Sequence, residues 1–90
     1  MSLLLIDLAR KFATSGIPAE SFEVEFFRLW RSEGQSGALI SPSADINECL
    51  YIVFDLAERY TSDAERTAFE LDQHALRKEV NAALEKFNLI

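Results

Sequence analysis

Along four stretches of this chain the apolar residues return at every third or fourth position, and very little in the sequence interrupts them. Residues so spaced share one face of a 3.6-residue turn, so the pattern predicts amphipathic helices. Only three Gly and two Pro occur in 90 residues, too few for the tight turns of a β-sandwich or barrel. In the first stretch Leu5, Leu8, Ala9 and Phe12 form the apolar stripe, Asp7, Arg10 and Lys11 take the other side, and Gly16 ends the helix. The second starts with Pro18 as first helical residue and Glu20 in the first turn. It carries Phe22, Phe26, Leu29 and Trp30, and ends at Gly34. Phe27 lies off that stripe and is expected at the surface or at a contact with another copy.

Gly34 to Ser43 is the longest connection and the one expected to be most mobile. The third helix begins between Ser41 and Asp45, with Ser41-Pro42 and the capping pair Asp45/Glu48 both acceptable starts. From Ile46 to Tyr60 it is nearly apolar all round, which predicts a central position. The fourth carries Leu76, Val80, Ala83, Leu84 and Phe87, with Asp72 as its cap. Between the last two, Ser62-Asp63-Ala64-Glu65 fits a capping box and predicts a short extra turn of helix. Short connections between such helices make the fold all-α, an antiparallel four-helix bundle, with residues 1–90 as one domain.

A chain of this length buries only about 60–65% of its unfolded surface, so its core must be efficient. With 49% hydrophobic residues, seven Phe, Trp30, Tyr51 and Tyr60, the bulk is there. The single cysteine, Cys49, has no internal partner and sits in an apolar run, where it reads as a small buried hydrophobe. A reduced, cytoplasmic home is expected. No stretch reaches the ~18 apolar residues of a membrane span, and Asp7 interrupts the opening Leu3-Leu4-Leu5-Ile6 run before it resembles a leader.

Enzyme chemistry finds no foothold. The single histidine, His74, has no nucleophile or carboxylate at the spacing of a triad. Glu70 and His74 could share a helix face as metal ligands do, but one such pair does not make a site, and His74 reads as solvated. No glycine follows an acidic cluster as a calcium loop requires. Ser62-Asp63 reverses the order of an acyl-carrier attachment site. No cofactor, no metal and no catalytic residue is expected.

The net charge of −6 is unevenly placed. Residues 1–40 hold five acids and four bases, and residues 77–90 hold two acids and three bases. Residues 41–76 hold eight acids (Asp45, Glu48, Asp55, Glu58, Asp63, Glu65, Glu70 and Asp72) against Arg59 and Arg66. Such a segment repels nucleic acid and anionic lipid and attracts a basic partner. The plain alternative is that these charges keep the outer bundle face wet, with Asp63 and Glu65 capping a turn and Glu58-Arg59 and Glu65-Arg66 as ordinary surface pairs.

Several short elements also keep a family's order and spacing. They are Ile6-Asp7-Leu8-Ala9 with Phe12, Ser41-Pro42, Ala57-Glu58-Arg59-Tyr60, Asp63-Ala64-Glu65-Arg66, Glu70-Leu71-Asp72, Lys78-Glu79-Val80 and Leu84-Glu85-Lys86-Phe87. Taken together, the chain resembles the colicin D immunity proteins and their relatives in contact-dependent inhibition systems. The resemblance is weakest between Phe22 and Ile40. It implies an antiparallel four-helix bundle that plugs the basic catalytic cleft of a nuclease toxin cutting the tRNA anticodon loop. It places the key carboxylates at Glu58 and Asp63; the acidic segment then supplies Asp55, Glu65, Glu70 and Asp72, with Arg59, as the flanking charges. The implied partner is that toxin domain, with no direct nucleic-acid or membrane contact, and the free protein is expected as a monomer, a homodimer being the variant case. The other reading is an acidic helical adaptor or oligomerisation module, joined through off-stripe apolar residues such as Phe27.

Overall fold

The computed structural model describes residues 3–36, 44–61 and 70–90. These hold four helices: α1 (Leu3–Ser15), α2 (Ala19–Ser36), α3 (Ala44–Glu58) and α4 (Gln73–Lys86). The expected short turn around Ser62–Glu65, and the connection after α2 from residue 37 on, lie outside the described residues.

The helix ends follow from particular side chains. Gly16 stops α1 with φ of 74°, a left-handed backbone that disfavours any residue with a Cβ even though nothing crowds the position. Pro18 stands one residue before α2, its carbonyl accepting from the Phe22 N–H at 3.0 Å. The first N–H of α2, on Ala19, has no partner within its own helix and instead donates to Gln73 Oε1 at 2.7 Å. Gly34 does not end α2, which continues to Ser36; a helical glycine costs only about 1 kcal/mol against alanine, too little to stop a helix by itself. Asp72 caps α4 as expected, accepting from the Ala75 N–H at 2.8 Å. At the other end Asn88 turns left-handed, and the N–H groups of Asn88 and Leu89 close back onto the carbonyls of Glu85 and Leu84.

Cross-links fix the direction of every helix. Arg77, early in α4, reaches the Phe12 carbonyl near the end of α1, whereas Arg10 reaches the Leu89 carbonyl beyond the end of α4. Cys49 near the start of α3 lies against the Ala83 carbonyl late in α4, and Tyr60 after α3 pairs with Leu71 before α4. Trp30 meets Tyr51 while Tyr60 meets Glu20, so α2 and α3 also run antiparallel. The result is an antiparallel four-helix bundle.

Its core is one apolar cluster drawn from all four helices. Phe12 stacks on Phe22 with ring centroids 4.3 Å apart, and Phe22 leads on to Phe26 at 5.5 Å. In α1 the buried arc is Leu5, Ile6, Ala9 and Phe12, with Leu8 only half-buried. α3 packs mainly against α4, and the expectation that it is central is corrected by its own outer side. Its inner face buries Cys49, Leu50, Val53, Leu56 and Ala57, but its outer face is open. Tyr51, counted from sequence among the core bulk, is 61% exposed. Phe27, expected at the surface, is half-buried and edge-on to Phe54 at 5.3 Å.

Candidate functional site

With Cys49, Leu50, Val53 and Leu56 turned inward, the helical period must place Asp45, Glu48, Tyr51, Asp55 and Glu58 outward, and all five are exposed. The outward stripe of α3 thus carries four carboxylates and one aromatic ring. Ten residues separate Glu48 from Glu58, about 15 Å of rigid helix at 1.5 Å per residue. Asp55 pairs with Arg59 across one turn at 3.8 Å. Both side chains are well exposed, so this pair adds little stability.

After Glu58 the chain leaves the helix through tightened turns, Arg59 N–H to Leu56 O and Tyr60 N–H to Ala57 O. Two backbone bonds then tie it to the approach of α4, Thr61 N–H to Leu71 O at 2.9 Å and Leu71 N–H to Arg59 O at 2.7 Å. This clasp brings Glu58, Arg59, Glu70 and Asp72 to one end of the bundle. Asp72 differs from the rest, because its carboxylate caps α4 and is half-buried. Asp63 and Glu65 fall outside the described residues.

The same end includes two acids that the sequence did not assign to the site. The Tyr60 hydroxyl donates to Glu20 Oε1 at 2.6 Å, reaching from the end of α3 to the start of α2. That bond, with help from the backbone, holds the Glu20 carboxyl below its usual range. Glu23, one turn on, is pushed up by partial burial and by the Glu20 charge. The signal for both was topological: antiparallel α2 and α3 place the first turn of one beside the last turn of the other.

Other chemistry-bearing groups lie elsewhere. Cys49 is fully buried, which pushes its thiol up to about 11, so it is not a ready nucleophile. His74 is exposed at the second position of α4. Glu33, buried near the end of α2, had no sequence signal. Among the described residues no group of three or more His, Cys, Asp or Glu could hold a metal ion. No helix among them is long and apolar enough to cross a membrane. What the exposed end offers is a fixed set of hydrogen-bond acceptors with negative charge, suited to meeting a basic surface.

No curated protein matches the chain significantly. The family of bacterial self-protective colicin-like immunity proteins, in contrast, matches residues 1–87, nearly the whole chain, and this protein belongs to it.

Proposed function

We propose that this immunity protein binds the catalytic domain of a colicin D-type toxin that cuts the tRNA anticodon loop, and that its carboxylates stand where RNA phosphates would bind. The carrying observation is the exposure of Asp55 and Glu58 at the clasped end of α3, with Glu70 beside them. Family membership supplies the toxin as the class of partner. A nuclease that grips RNA needs Lys, Arg and His around its cleft, and a carboxylate presents such groups with the same two-acceptor geometry that phosphate does.

Rigidity matters as much as charge. Glu58 is the last residue of a helix whose exit is pinned by the Arg59–Leu71 bond, so little ordering is lost on binding. In a desolvated contact a pair of unit charges 4 Å apart interacts by about 4 kcal/mol, against about 1 kcal/mol in water. Only carboxylates inside the cleft therefore contribute strongly. Glu58 and Asp63 are assigned that place, with Asp55, Arg59, Glu65 and Glu70 at the rim and Asp72 acting through the α4 cap. The remaining negative field steers encounter, and the protein does so as a cytoplasmic monomer without touching RNA itself.

The test is the double variant Glu58→Gln with Asp63→Asn. It should bind the toxin domain at least about 100-fold more weakly while keeping its helical circular dichroism. Association of the wild type should also slow steeply with salt, since screening falls within about 8 Å at physiological ionic strength. Full protection by the double variant, or association indifferent to salt, refutes the reading.

A further inference from the structure

The outward stripe of α3 has one member that phosphate mimicry does not use. Tyr51 is 61% exposed, and it lies between Glu48, three residues before it, and Asp55, four residues after it, both exposed. Isolated exposed apolar residues are common and need no explanation. Tyr51 is not isolated. Its ring meets Trp30 edge-on at 5.5 Å, Trp30 lies 4.5 Å from Phe54, and Phe54 meets Phe27 at 5.3 Å. A continuous shelf of rings thus runs from the core of the α2–α3 seam out to solvent, ending in Tyr51.

The geometry points to Tyr51, with Glu48 and Asp55 on either side, as the seat for an arginine or lysine side chain of the toxin's catalytic domain. This rests on the function proposed above and extends it up α3, away from the clasped end. Three features favour that occupant over an apolar segment or a second copy of this chain. A ring face attracts a cation held over it, and more strongly as water leaves. Carboxylates one turn away on both sides complement the same positive charge. They would in turn be left desolvated by an apolar occupant and would repel the like stripe of a second copy. Because Trp30, itself packed on Phe54, already braces the ring, seating a partner against it costs little ordering, the condition under which aromatic residues dominate an interface.

The experiment uses the full chain and the catalytic domain of the colicin D-type toxin against which it protects, made inactive by substitution. Tyr51→Ala should raise the dissociation rate about 30-fold or more, leaving the association rate and its salt dependence as in the wild type. Tyr51→Phe should stay close to the wild type, since the ring is what seats the cation. A fluorotryptophan label gives a single resonance from Trp30, the chain's one tryptophan, and it should shift when the toxin domain binds the wild-type protein. That readout needs no variant to fold. Wild-type dissociation of Tyr51→Ala together with an unmoved Trp30 resonance overturns the seat. If Glu58→Gln with Asp63→Asn still weakens binding in that case, the proposed function stands without it. If the Tyr51 effects appear and the acid pair has none, the seat holds and phosphate mimicry falls.

Discussion

Arg77 lies half-buried between α1 and α4 with its guanidinium on two carbonyls and a phenyl ring, whereas Asp55 and Glu58 stand on α3 in open water. The Arg77 Nε donates to the Phe12 carbonyl at 3.0 Å, Nη2 donates to the Ile17 carbonyl at 2.7 Å, and the charge sits 4.8 Å from the Phe12 ring centroid. One side chain thereby fixes the end of α1, the turn after it and the start of α4. Arg10 does similar work at the far end by donating to the Leu89 carbonyl. The α1–α4 side uses charge to hold backbone, and the α3 face, its Asp55–Arg59 pair aside, leaves its carboxylates exposed to solvent. A small domain benefits from this division, because a partner can select the outer residues without disturbing those that keep the fold.

Core truncation should break the first half of that comparison most severely. Phe12→Ala removes the ring stacked on Phe22 and the surface under Arg77, and should cost about 3–5 kcal/mol. That is a large share of the about 5–15 kcal/mol available to a domain. Urea unfolding would show the midpoint falling sharply, and a loss below about 1 kcal/mol would mean the site collapses far more readily than its packing implies. Next comes Arg77→Met, which keeps the aliphatic stem but leaves two carbonyls without their charged donor. About 2–4 kcal/mol should be lost. Glu58→Gln, measured alongside, should change stability by no more than about 0.5 kcal/mol in either direction. Equal losses for the two would erase the distinction between the two sides.

Much of this was legible in the chain, for a reason that also marks where legibility stopped. Apolar spacing gives the angle of each residue about its own helix axis, so Phe22, Phe26, Leu76, Val80 and Leu84 could be read as inward, and they are buried. Spacing does not say how far a helix is rotated against its neighbours. In α3 the apolar residues nearly encircle the axis, and only packing against α2 decides that Phe54 is half-covered and Tyr51 left out. The acidic block of residues 41–76 was visible, and Asp55 and Glu58 are exposed within it. Glu20 and Glu23 were not visible, because they join that end through a neighbour forty residues away in sequence. Arg77, one base in a weakly basic last segment, carried no hint of its two carbonyl partners.

Glu20 is the residue on which the comparison can be sharpened, since it sits at the exposed end yet is held from within by Tyr60. Its carboxyl is depressed chiefly by that hydroxyl, so the contribution of the bond to stability is present above the ordinary carboxylate range and disappears as pH falls through the depressed value. Tyr60→Phe removes the donor and should let Glu20 titrate upward toward its ordinary range, seen directly in its side-chain carboxyl resonance. A titration that does not move would place the cause of the depression elsewhere. At neutral pH Glu20 stays ionised in either form, so Tyr60→Phe alters where the charge is held and not whether it exists. Association with the toxin domain then assigns it. If Glu20→Gln slows association as the proposal expects of the α3 acids, Glu20 belongs with the outward charge. If Glu20→Gln and Tyr60→Phe shift only the unfolding midpoint, it belongs with Arg77 and Arg10, among the charges that hold the bundle together.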